Sequence, residues 1–232
     1  MRTFIVGDLH LSNDPRIDKP MTVFGDAWND HAARIREDWD ARVGAEDTVI
    51  IAGDISWGLH FEEALADLEW IHERPGMKVL IKGNHDLWWT GITKLNQLYP
   101  DMYFLQNSCY GTDHALICGT RGWVCPGSEG YTAQDEKIYQ RESLRLRASL
   151  TAAAARKDRE IIGVLHYPPT NDKMQPSQFT QLFEEFGVRR VYYGHLHGKE
   201  AFRKGLKGNL NGVSYDLISL DYLNCTLKEI CF

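Results

Sequence analysis

No uninterrupted apolar run in the chain approaches the ~18 to 20 residues needed to cross a bilayer, which excludes a helical membrane span. There is no excess of positive charge either. The 26 Lys and Arg stand against 32 Asp and Glu for a net charge of -6, and that balance speaks against a general nucleic-acid binder, whose phosphate contacts need a basic face. The cysteines Cys109, Cys118, Cys125, Cys225 and Cys231 are odd in number and never in Cys-x-x-Cys spacing. A disulfide framework or a thiolate zinc site is therefore not expected, and reduced structural thiols are. Internal repeats and low-complexity linkers are also missing. Met1 to Val6 runs straight into Gly7 and Asp8 without the cleavage region of a signal peptide, so the expected compartment is the cytoplasm, with no membrane partner.

What is present is ordinary for a globular protein: 232 residues, 43% hydrophobic and 25% charged, enough for a substantial core in a single domain over 1–232. Short apolar runs rich in Val, Ile and Tyr occur at Thr3 to Val6, Thr48 to Ala52, Lys78 to Ile81, Ile161 to Leu165 and Arg190 to Tyr193. They read as buried strands. Helix-like stretches fall at about 27–43, 61–72, 91–98 and 176–186, and alternation of the two implies a mainly parallel α/β sheet with helices on its faces. The 121–160 stretch opens with Gly and Pro and turns helical from about Ala133, as an amphipathic covering helix. Alternating apolar residues from Gly212 to Phe232 suggest antiparallel strands closing a second layer. The long Pro-containing loop 11–25 has the length of a functional lid.

Each strand-like run ends in a polar cluster: Asp8-Leu9-His10, Gly53-Asp54, Gly83-Asn84-His85-Asp86, His166, and Gly194-His195-Leu196-His197. Ligands of parallel sheets gather beyond the carboxyl ends of the strands, so one sheet edge is expected to collect all five clusters. Asp8 and His10 would share a side if their strand continued. A carboxylate with an imidazole is a common donor pair for transition metals. Asp54 can reach two metals with its two oxygens, or it can cap the next helix. Asn84 offers an amide oxygen, His85 a general acid, and Asp86 a carboxylate to orient that imidazole; the same four residues also suit a plain turn. His166, His195 and His197 are each compatible with a hydrogen-bonded core position.

The ordered set resembles the pattern of the calcineurin-like metallophosphoesterase superfamily: Asp-x-His, Gly-Asp, Gly-Asn-His-(Asp/Glu), His, and Gly-His-x-His, here between residues 7 and 197. The resemblance implies a layered α/β/β/α sandwich with mixed sheets. It implies one metal held by Asp8, His10, Asp54 and His197, and another by Asp54, Asn84, His166 and His195. His85 would be catalytic, and a hydroxide bridging the metals would attack a phosphate mono- or diester. The metals would be two of Mn, Fe, Zn or Co, which keep such a site positive within an acidic chain. The partner would be a small phosphorylated substrate rather than a nucleic acid.

Departures from the pattern narrow the expectation. Protein phosphatases of the superfamily carry arginines after Gly-Asp and beside Asn-His, whereas this chain reads Ile55-Ser56-Trp57-Gly58-Leu59 and Asp86-Leu87-Trp88-Trp89 there. Purple acid phosphatases have a Tyr ligand where Trp57 stands. The remainder looks closest to small bacterial-type phosphoesterases, among them cyclic-nucleotide phosphodiesterases. Trp57, Trp88 and Trp89 are candidates for a stacking ring at the mouth or for core packing. Arg16, Lys19, Arg121 and Lys173 are candidate phosphate contacts from loops.

Overall fold

A computed structural model describes residues 1–156 and 159–232. In chain order it has β1 (Thr3–Val6), α1 (His31–Arg42), β2 (Thr48–Ala52), α2 (Phe61–His72), β3 (Met77–Ile81), α3 (Ile92–Leu95), β4 (Met102–Phe104), β5 (Cys109–Gly111) and β6 (Ala115–Thr120). There follow α4 (Ala133–Ala154), β7 (Glu160–Leu165), α5 (Gln178–Glu185), β8 (Arg190–Tyr193), α6 (Gly198–Lys204), β9 (Gly208–Leu210), β10 (Val213–Leu217) and β11 (Lys228–Ile230). The strands make two sheets, ordered β11-β1-β2-β3-β4 and β5-β6-β7-β8-β10-β9.

The parity of the strands explains why the sheets stack. Side chains alternate between faces along a strand, and in β1 Ile5 enters one apolar layer while Phe4 and Val6 enter another. Ile5, Ile50, Val79 and Ile81 of the first sheet meet Ile117, Ile162, Val164 and Tyr192 of the second in a layer between the sheets. On the outer face of the first sheet, Phe4, Val49 and Leu80 pack against Ile35 and Trp39 of α1 and Leu68 and Ile71 of α2. Leu116, Leu165 and Val191 of the second sheet pack against Leu146 and Leu150 of α4 and Phe179 and Phe183 of α5. The result is the α/β/β/α sandwich with mixed sheets. Truncating an inter-sheet residue such as Ile50 or Ile162 to Ala is expected to cost about 2–5 kcal/mol.

Helix α4 starts at a capping box in which the Thr132 hydroxyl accepts from the Asp135 amide at 3.2 Å and the Asp135 carboxylate accepts from the Thr132 amide at 2.9 Å. Its buried residues Tyr139, Leu146, Leu150 and Ala153 recur at helical spacing, as a covering helix requires. Residues 157–158 of the expected 121–160 stretch lie outside the described residues.

Two expectations are corrected. There is not one parallel sheet but two, because β6 to β8 pair among themselves instead of extending β1 to β3. The C-terminal strands do bring antiparallel pairs, but they close both layers rather than the second alone. β10 runs parallel to β8 and antiparallel only to β9, while β11 crosses to the first sheet and pairs antiparallel with β1. Backbone groups, not alternation, choose the partner: Lys228 to Ile230 satisfy the free edge of β1.

One charged residue sits inside the first sheet. Lys78 of β3 is fully buried, and its ammonium is satisfied by the carbonyl of Arg74 at 2.7 Å and by the carboxylate of Asp101. Among the described residues, no helix is long and apolar enough to cross a membrane.

Candidate metal centre

The carboxyl ends of the two sheets are laced together, which brings the five clusters to one place. The Gly7 amide after β1 donates to the Ile218 carbonyl after β10 at 2.8 Å, Asp8 N donates to Gly53 O at 2.9 Å, and Gly194 N donates to His166 O at 3.1 Å. β1 ends at Val6, so Asp8 and His10 share a side for a different reason than strand parity. Asp8, His10, Asp54 and His195 all hold left-handed backbone, with φ of 63°, 45°, 48° and 73°. Such non-glycine conformations cost on the order of 1–3 kcal/mol each and persist only where surrounding structure imposes them. Two glycines permit the crowding: a Cβ on Gly83 would stand 2.2 Å from Asp54 Oδ1, and one on Gly194 would stand 2.5 Å from Asp8 Oδ2.

Two groups of donors result. Asp8, His10 and His197 form one, Asp54, His166 and His195 the other, and within each group the donor atoms lie within 4.8 Å of one another. His10 Nε2 is 3.4 Å from His197 Nε2, and His195 Nδ1 is 3.2 Å from His166 Nε2. Asn84 Oδ1 stands 2.8 Å from His166 Nε2 and so joins the second group. The seven residues named from the sequence are thus adjacent. The donor set fits transition metals: imidazole nitrogens aimed at one another, with carboxylates and an amide oxygen between them, make a concave cluster that a cation can fill. His166 is oriented for this, since Nδ1 donates to the Ala52 carbonyl at 3.0 Å and leaves Nε2 facing the cluster.

The charges are tightly interdependent. Burial pushes the Asp54 carboxyl up, but the attraction of His166, its hydrogen bond and His10 together carry it well below the usual carboxylate range. Burial lifts Asp8, with His197 and His166 opposing. His166 is pushed down by burial, yet Asp54 and Asp8 raise it to about 9. Burial and then the neighbouring His166 hold His195 down at about 3. Burial also lowers His85, against the pull of Asp54.

Asp86 does not orient His85. It is fully buried, and its carboxylate accepts from the Gly83, Ile55 and Ser56 amides at 2.6, 2.9 and 3.3 Å and from the Trp88 indole at 3.1 Å. Neighbours in a tight turn point apart, so Asp86 clamps the loops after β2 and β3 while the His85 ring faces outward. Trp88 and Trp89 are core residues, 2% and 8% exposed. Trp57 stays half-exposed, stacked on His10 with ring centroids 4.8 Å apart and 4.4 Å from His85. His10, Asp54, Trp57, His85, His195 and His197 line a cavity of about 230 Å³ closed on one side by Met21 and Phe24 of the 11–25 loop.

Of the four candidate loop cations, Arg16 is held by Asp14 in a two-bonded pair at 2.6 and 2.8 Å, Arg121 turns to Glu142 at 3.4 Å, and Lys173 is exposed. Lys19 is the one beside the cavity, 5.6 Å over the Trp57 ring. Sequence reading missed Asp221, which accepts from His197 Nδ1 at 3.0 Å, and Tyr167, whose ring covers His195 at 4.0 Å. Asp221 also follows a strand, β10, and that placement was the available signal. Nothing in the local sequence marks Tyr167.

Comparison with known proteins finds similar sequences and a shared fold. Gene 66 protein of Mycobacterium phage L5 is 40% identical over 84 residues, 36% of this chain and 39% of that protein. Its counterpart in phage D29 is 51% identical over 57 residues, 25% of this chain and 28% of that protein. The chain thus matches well under half the length of either. Two solved structures share the fold: a protein of unknown function from Aquifex aeolicus (TM-score 0.50, 13% identity, 98% of this chain and 95% of that one), and the phosphopantetheinyl hydrolase of Mycobacterium tuberculosis (TM-score 0.54, 14% identity, 99% and 95%). The sequence model described as calcineurin-like phosphoesterase matches residues 1–199. The chain belongs to the calcineurin-like phosphoesterase family.

Proposed function

We propose that the chain hydrolyses phosphate mono- or diesters of small molecules with two divalent metal ions that share Asp54. The observation that carries this reading is the reach of one carboxylate. Asp54 Oδ2 lies 3.3 Å from His166 Nε2 in one donor group and 3.8 Å from His10 Nε2 in the other. On this reading Asp8, His10, His197 and Asp54 hold one ion, and Asp54, Asn84, His166 and His195 hold the second. The mixed imidazole, carboxylate and amide set suits Mn, Fe, Zn or Co. A metal pair supplies Lewis acidity at phosphate oxygens and an acidified water as nucleophile.

The chain's own residues do the rest. The His85 amide donates to Asp54 Oδ1 at 2.8 Å, which fixes the loop that carries the exposed His85 ring at the cavity. Burial holds its pKa below the ordinary imidazole value, and the ring is placed to offer an N–H to a departing oxygen. Asp221 holds the His197 ring by its far nitrogen, as partners beyond the ligand typically do. The free cysteines fit a reducing compartment, and we place the protein in the cytoplasm. Turnover of p-nitrophenyl phosphate or bis-p-nitrophenyl phosphate by pure Mn2+-loaded protein, abolished by chelator, is the expected result. No turnover of either contradicts the reading.

A further inference from the structure

Beside the cavity at the donor groups lies a second hollow of about 180 Å³ lined by Asp18, Lys19, Pro20, Met21, Val23, Phe24 and Trp57. Met21, Phe24 and Trp57 line both spaces, so the two hollows adjoin at these three side chains. This outer part is built from the segment after β1 that the sequence marked only by its length.

Its chemistry is specific. Met21 is buried and its sulfur accepts from the Trp57 indole at 3.2 Å, which pins the segment to the wall of the site. Phe24 and Val23 are 65% and 73% exposed, an unusual placement for large apolar groups at the rim of a polar site. Lys19 rests over the Trp57 ring, and among the described residues no carboxylate pairs with it. Arg16, three residues earlier, is neutralised by Asp14. The mouth therefore presents Lys19, beside Asp18, and an apolar lip next to the Trp57 ring that packs on His85, the residue placed at the leaving group on the hydrolytic reading.

We propose that Lys19 and the Phe24–Trp57 wall are the specificity-determining part of the site, selecting dianionic phosphate monoesters whose leaving group is apolar and aromatic. The inference rests on the hydrolytic reading above. Lys19 takes the place of the phosphate-gripping arginines that this chain lacks after Asp54 and around His85, but from a different segment and from the leaving-group side. A monoester dianion gains more from that cation than a diester monoanion does, and an aryl or nucleobase ring covers Phe24 where a polyol leaves it wet.

The test compares p-nitrophenyl phosphate, bis-p-nitrophenyl phosphate, a purine nucleoside monophosphate and glycerol phosphate, with Mn2+, in the wild type, Lys19→Gln, Lys19→Arg and Phe24→Ser. Both side chains are exposed, so neither change threatens the fold. Lys19→Gln is expected to lower kcat/KM for p-nitrophenyl phosphate about five- to tenfold through KM, to change the diester less than about twofold, and to be rescued by Lys19→Arg. Phe24→Ser is expected to lower kcat/KM for the aryl or nucleotide monoester about tenfold relative to glycerol phosphate. Calorimetric binding of phenylphosphonate and methylphosphonate reads the same preference without turnover. Unchanged mono-to-diester and aryl-to-alkyl ratios in the variants overturn this inference alone. Absence of any turnover by the metal-loaded wild type overturns the hydrolytic reading on which it stands.

Discussion

The backbone N–H of His85 donates to Asp54 Oδ1 across 2.8 Å, so His85 is registered directly on the carboxylate whose other oxygen stands between His166 and His10. The contact depends on Gly83, where any Cβ would lie 2.1 Å from the Asp54 amide nitrogen. Gly83→Ala is therefore expected to displace the loop rather than a flexible side chain. Because a displacement of about 1 Å can cost on the order of 100-fold, kcat/KM should fall by at least that much. Circular dichroism and Mn2+ titration check whether the fold survives while the site fails; a fully active Gly83→Ala protein contradicts the geometry.

Asp221 reaches the centre through His197, at 3.0 Å from Nδ1, and its other oxygen accepts from the Gly198 amide at 3.0 Å. Asp221→Ala frees that ring to rotate and removes a charge behind it, and Mn2+ affinity should drop about 10- to 100-fold with little change in thermal stability of the metal-free protein. Isothermal titration separates the two, and an unchanged affinity would remove Asp221 from the site.

Asp86 is a clamp. Asp86→Asn places an NH2 donor among three backbone amides and an indole N–H, leaving buried donors unpaired at about 1–3 kcal/mol. Denaturant unfolding should show that loss. The residual activity should keep the wild-type pH profile, whereas a shifted profile would return Asp86 to a proton-transfer role.

A pH prediction follows from Lys78. Burial raises the Asp101 carboxyl, but the hydrogen bonds from Lys78 and His72 outweigh it and hold its pKa below 3.8 in the fold. A depressed carboxylate stabilises the protein above its unfolded pKa, and the contribution disappears as pH falls through the folded value. Asp101→Asn should accordingly be about 1–2 kcal/mol less stable than wild type near pH 7, with the gap closing below about pH 4. A pH-independent gap would assign the loss to packing.

Much of the centre was legible because its donors are rare residue types standing where buried β-branched runs stop. β1, β2 and β8 carry the expected bounds, since Thr3 to Val6, Thr48 to Ala52 and Arg190 to Tyr193 each stop at a glycine, Gly7, Gly53 and Gly194. The three-residue strands β4, β5 and β9 and the short α6 were not legible, being too brief to show a period. The partners of β10 and β11 were hidden for another reason: alternation reveals which face of a strand is apolar but not which edge it joins. Tyr167, Met21 and Phe24 reach the site through tertiary packing, with no local pattern to mark them. Asp86 was misread because adjacency to His85 in sequence says nothing about direction in a turn.

The central claim is that Asp54 serves two metal ions at once. Its most direct measurement is metal content per chain, by elemental analysis after equilibrium dialysis against Mn2+, in the wild type and in Asp54→Ala. The account predicts two ions in the wild type and at most one in the variant, with hydrolysis abolished; a wild-type chain that binds no metal, or a variant that retains both ions, contradicts it.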